Sequence, residues 1–104
     1  MSKYFVHVTN TAKEDLKDIA RYIKFELKKP DIAISFVQKI KKSIISLENK
    51  PYRNALVRDK DLVQFGYRFL IVDKYIVFYI VLEDEQIADV VRILHSRRNW
   101  EKML

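Results

Sequence analysis

The spacing of apolar residues changes repeatedly along this chain, and each change marks an element. Residues 3–9, KYFVHVT, alternate, with Tyr4, Val6 and Val8 on one side and Phe5 and His7 on the other, as in a half-buried strand. From residue 11 the period lengthens. Leu16, Ile19, Ala20, Ile23 and Leu27 fall on one helical stripe, and Thr11 with Glu14 three residues on has the form of a capping box. Pro30 breaks this helix, and Asp31 is placed to cap a second one. The second stripe is Ala33, Phe36, Val37, Ile40, Ile44 and Leu47. The short link makes the pair an αα-hairpin.

Pro51 ends the second helix, and residues 50–63, KPYRNALVRDKDLV, keep no period. They read as a basic loop carrying Arg53, Arg58 and Lys60. Three strands follow, at 64–72, 75–82 and 87–95, linked by the tight Asp73-Lys74 turn and the acidic turn EDEQ. The middle strand, YIVFYIVL, is apolar at nearly every position, so both of its faces need cover and it belongs inside the sheet. Residues 98–104 close the chain as a short helical turn. The order β-α-α-β-β-β, with a two-helix hairpin packed on a mainly antiparallel sheet, is an α+β arrangement.

Composition narrows the chemistry. The chain has 104 residues and a formal charge of +6, which bounds it to one domain, residues 1–104, and favours an anionic partner. Surplus lysines kept for solubility explain the same charge equally well. With no cysteine, disulfides and thiolate metal sites are excluded, and two histidines make a poor metal set; no metal or cofactor is expected. The opening MSKYFVHVTN lacks the pattern of a secretory signal, and YIVFYIVL is too short to span a bilayer, so the expected location is the cytoplasm, away from membranes.

The densest cationic and aromatic cluster closes the chain, in RILHSRRNWEKML. Strict alternation puts Tyr67 with Phe69 and Arg68 with Leu70 on strand 64–72. It likewise puts Val91, Ile93 and His95 on one face of strand 87–95, and Val90, Arg92 and Leu94 on the other. Helices covering one face of the sheet would leave Arg68 and Arg92 pointing from the opposite one. His95, Arg97 and Arg98 then lie on the rim, beside Lys74 and Tyr75 of the neighbouring hairpin. Such a gathering suits phosphate clamping and base stacking.

Each residue also has a structural reading. Arg68 can pair with Asp89 or Glu85, His95 can be a surface hydrogen-bonding group, and Trp100 can anchor its turn. Adjacent Arg97 and Arg98 are least easily explained this way, because like charges repel. No glycine-rich phosphate loop, nucleophilic cysteine or convincing carboxylate pair is present. Any catalysis would therefore be metal-independent and assisted by His95, lysine and arginine, as in phosphodiester cleavage by a ribose 2′-OH.

The element order, the hairpin GYRFLIVDKYIVFYIV and above all VVRILHSRRNW resemble the RelE/ParE superfamily of type II toxin–antitoxin toxins. The resemblance covers nearly the whole chain and is most specific over 66–100. It implies a growth-arresting, plasmid-stabilising toxin, neutralised by a cognate antitoxin in a hetero-oligomer. RelE-like members act as mRNA interferases on the ribosome, whereas ParE-like members poison DNA gyrase. Under the first activity, His95, Arg68 and Arg92 would be catalytic. Under either, Arg97, Arg98, Lys74 and Tyr75 would contact the target or nucleic acid. Nuclease members carry an arginine early in the middle strand, in a YR(L/V)(V/I)Y pattern; here the segment reads YIVFY, with Ile76 in that place. That departure inclines the resemblance to the ParE branch and leaves RelE-like cleavage as the alternative.

Overall fold

Where the sequence alternates, the chain extends. In the computed structural model, which describes residues 3–104, strand β1 spans Phe5–Val8. Helix α1 follows at Asn10–Arg21, α2 at Pro30–Ile45, then strands β2 (Arg68–Val72), β3 (Tyr75–Leu82) and β4 (Ile87–His95). The sheet order is β1-β4-β3-β2, with β1 parallel to β4 and the other pairings antiparallel. It is a mixed four-stranded sheet carrying two helices, the expected α+β arrangement with β3 inside.

The helix boundaries differ from expectation for local reasons. Thr9, not Thr11, caps α1. Its backbone is still extended as the chain leaves β1, and its Oγ1 accepts the Ala12 N–H at 3.1 Å. The same hydroxyl donates to the Val91 carbonyl at 3.2 Å, so one side chain ties helix to strand. Thr9→Ala removes both bonds and is expected to cost about 1–2 kcal/mol, read as a lower midpoint in urea. Thr9→Ser should keep most of that stability.

Helix α1 does not run evenly to Pro30. Its last turn widens into a π-helical turn at Tyr22–Glu26, and Lys28 takes a left-handed conformation with φ of 56°. Pro30 opens α2 instead of merely breaking α1, because the first helical turn needs no N–H there. Asp31 sits inside that first turn, where its charge favours the helix dipole, and is not the cap.

One core lies between helices and sheet. Ala12, Ile23, Phe36, Ile40 and Ile44 pack on Val72, Val77, Tyr79, Val90 and Ile93. A second cluster fills the other face, where Val57, Leu62, Trp100, Met103 and Leu104 cover Ile76, Phe78 and Leu94. The loop read as featureless is therefore a lid over β3. Its buried Tyr79 hydroxyl donates to the Pro51 carbonyl and accepts from Asn54 Nδ2. The first hairpin strand begins at Arg68, not at 64, since Val63–Phe65 form a 3₁₀ turn ended by Gly66 at φ of 73°.

A bulge corrects the face assignments on β4. Phe78 pairs with Arg92 and Tyr79 with Val90, so Val91 is the extra residue. Val90 and Ile93 consequently both join the helix-side core, while Val91 and Leu94 join the second cluster. The strict alternation expected from residue 87 to 95 breaks at that point.

Candidate functional site

Strand β1 stops at Val8, opposite Val90, while β4 continues to His95. The outer edge of β4 beyond Val90 therefore lacks a strand partner, and α1 supplies one piecemeal. Thr9 N–H donates to the Val90 carbonyl at 3.0 Å, and Ile93 N–H donates to Asp15 Oδ2 at 3.0 Å. Asp15 also receives Arg92 Nε at 2.7 Å and Nη2 at 2.9 Å, a bidentate pair. Arg92 Nη1 reaches the Met103 carbonyl at 3.1 Å. The Asp15 hydrogen bonds raise the arginine's pKa further, against the opposing effect of burial. Arg92 thus joins α1, β4 and the C-terminal turn.

Beside this joint opens a cleft of about 700 Å³. Lys74, Tyr75, Arg92, His95 and Arg98, all singled out from the sequence, line it, together with Tyr22 and Ile19 of the facing helix. The Tyr75 ring meets the His95 ring edge-on at 5.1 Å and packs on Phe36 at 4.8 Å. Burial first, and Tyr22 second, push the Tyr75 hydroxyl above its usual pKa. His95 Nδ1 accepts the Arg97 N–H at 3.0 Å, so the neutral ring carries its proton on Nε2. The Ser96 N–H donates to the Lys74 carbonyl at 2.8 Å, joining the hairpin turn to the end of β4.

Two of the expected residues are not in the cleft. Arg97 is exposed on the adjoining turn. Arg68 opposes Tyr79, whereas His95 opposes Tyr75, so along β3 they are separated by roughly 13 Å. Arg68 Nη1 donates to the carbonyls of Asn54 at 2.7 Å and Tyr52 at 3.2 Å, and its guanidinium lies 5.0 Å from the Tyr52 ring centre. It pairs with neither Asp89, which binds His7 at 2.7 Å, nor Glu85. The expectation that Arg68 and Arg92 project from an open sheet face is therefore corrected. Arg68 shares the side of Leu70 and Tyr79, and Arg92 turns toward α1.

Trp100 anchors the terminal turn, its ring 5.3 Å from that of Phe78. The C-terminal cluster is thus held from beneath. Sequence reasoning missed Asp15, and it did not place Tyr22 in the cleft. Both recur with Ile19 at i, i+4 and i+7, so a carboxylate stands on the face α1 turns to the sheet, where it calls for a cation. Among the described residues, no group of three or more His, Cys, Asp or Glu could hold a metal, and no helix is long and apolar enough to cross a membrane.

A family model described as the ParE toxin of the type II toxin–antitoxin system, parDE, matches residues 6–100. No curated protein matches the chain. Among solved structures, the chromosomal ParDE toxin–antitoxin system of P. aeruginosa superposes with a TM-score of 0.73 at 20% identity, covering 89% of this chain and 96% of that one. The RelBE2 toxin–antitoxin complex of Mycobacterium tuberculosis gives 0.64 at 20% identity, over 89% and 98%. An arginine double mutant of the E. coli toxin RelE in the free state gives 0.67 at 12% identity, over 97% and 92%. At these identities the likeness carries the fold, while the family model carries the family.

Proposed function

Because the chain belongs to the ParE toxin family of type II toxin–antitoxin systems, we propose that it arrests growth by binding DNA gyrase, not by cutting RNA. One observation carries this reading. The two arginines that a phosphodiester-cleaving site would need on the scissile phosphate, Arg68 and Arg92, are already committed to carbonyls and a carboxylate inside the fold. Stabilising a pentacovalent phosphate requires donors free to meet it. The place where related nucleases carry a further arginine holds Ile76, buried against Val57, Leu62 and Leu94. What stays accessible at the rim is a set of cations suited to gripping an acidic protein surface, namely Lys74, Arg97 and Arg98.

A cognate antitoxin chain completes the module and holds the toxin inactive in a hetero-oligomer, in keeping with the toxin–antitoxin complexes among the structural neighbours. The RelE-like alternative, a ribosome-dependent mRNA endonuclease, draws on one feature: His95, a ready proton carrier, stands in the cleft with Lys74 and Arg98.

The experiment is a supercoiling assay with purified gyrase and antitoxin-free toxin. Supercoiling should stop and protein-linked, broken DNA should accumulate as toxin is added. Normal supercoiling under a large excess of folded toxin would remove gyrase as the target.

A further inference from the structure

The cleft beside His95 does not end at its own wall. A second hollow of about 600 Å³ adjoins it and shares Leu27, Lys74 and Tyr75 with it. It runs on past Ile32 and Ser35 along the first half of α2. Cleft and hollow make one trough, divided by a saddle of Leu27 and Tyr75. We infer that this trough seats an extended acidic segment of the target protein, with one apolar side chain of that segment on each side of the saddle.

Three independent features support that occupant. Large apolar side chains stand open along the trough, Tyr22 at 50%, Leu27 at 47% and Ile32 at 53% exposure. The π-helical turn at Tyr22–Glu26 and the left-handed Lys28 interrupt regular helix between Tyr22 and Ile32, on either side of Leu27. Such exposed groups beside a concave floor are where interface anchors concentrate.

The second feature is charge. Lys29, Lys74 and Arg98 line the trough without an ion-pair partner among the described residues. Its acids are mostly spent, Asp15 on Arg92 at 2.7 Å and Asp73 on Lys39 at 2.7 Å, which leaves Asp18. The net field along the trough is positive and calls for carboxylates on the partner.

The third feature is size. At about 700 and 600 Å³ the two joined hollows exceed the room one small ligand needs and suit several residues of polypeptide, whose apolar side chains would fall to either side of the saddle. Both His95 and Tyr75 then act as wall and floor.

This inference rests on the gyrase reading and names the surface that serves it. The test titrates full-length toxin against gyrase and DNA, scoring the concentration that gives half-maximal broken DNA. Leu27→Asp and Ile32→Asp put a like charge where the acidic segment would sit. Each should raise that concentration at least about tenfold, and Lys74→Glu should do the same. Ile34→Asp, in the separate groove that Phe25 and Val37 line, is the control and should match wild type. All four positions are exposed, and circular dichroism checks the fold of each variant.

If wild type breaks DNA through gyrase and the three trough variants are equally potent, the trough is not the docking surface and the gyrase reading stands. If the trough variants keep potency but escape neutralisation by the antitoxin, the occupant is the antitoxin and the inference is overturned. If wild type leaves gyrase untouched, the parent reading falls and takes this occupant with it.

Discussion

Asp15→Ala should lower the stability of the folded chain by about 3 kcal/mol. At its size that is a fall in Tm of roughly 10–20 °C. The Asp15 side chain is 13% exposed and that of Arg92 20%, so the substitution strands a part-buried cation without its carboxylate. It also leaves the Ile93 N–H without its acceptor at the stretch of β4 whose outer edge has no strand beside it. Arg92 keeps its bond to the Met103 carbonyl and the pair is only part-buried, which is why the figure sits at the low end for a broken buried pair. Replacing both partners together, Asp15→Leu with Arg92→Met, should recover much of the loss, since neither charge then remains unpaired. Thermal and urea melts of the two single variants and the double variant give the coupling directly. A single-variant loss below about 1 kcal/mol would mean that the pair behaves as an ordinary surface bridge.

Reversing the rim charges together, Lys74→Glu with Arg97→Glu and Arg98→Glu, should abolish growth inhibition while leaving the fold intact. All three side chains are exposed and make no ion pair among the described residues, so their replacement shifts stability by no more than about 0.5 kcal/mol each. Facing an acidic partner, each reversal turns an attraction into a repulsion. Three of them should weaken target binding by on the order of a hundredfold or more. The measurement is colony formation under graded induction, beside a melt of the purified variant. Toxicity at the wild-type level from a folded triple variant would place the target contact elsewhere on the molecule.

The legible part of this chain was its periodicity. Strands at 75–82 and 87–95, the helical hairpin and the inner place of β3 all followed from the spacing of apolar residues, because burial enforces that spacing directly. The terminal anchor was legible too, since a lone tryptophan beside an apolar strand has an obvious place to go.

What spacing hid were the decisions made by tertiary partners. The bulge at Val91 has no mark in VVRILH, yet it reversed which residues share a face. Thr9 won the helix cap from Thr11 because only Thr9 stands where the backbone is still extended and the Val91 carbonyl is in reach. Arg92 looked like a free cation, and Arg68 like either a free cation or a partner of Asp89 or Glu85. Their partners are two loop carbonyls and a carboxylate far away in sequence, on α1. Lys74, Tyr75, His95 and Arg98 come together because the β3–β4 pairing places Tyr75 opposite His95; their neighbourhood was readable from the order of strands, but the exact pairing depends on the Val91 bulge.

The most direct measurement is transcriptome-wide mapping of mRNA 5′ ends in cells expressing the wild-type chain without its antitoxin. With Arg68 and Arg92 spoken for by the fold, the toxin should leave the message population uncut, so that no breaks appear beyond those of an uninduced culture. Codon-positioned breaks on translated messages, vanishing when His95→Ala is expressed instead, would contradict the account outright.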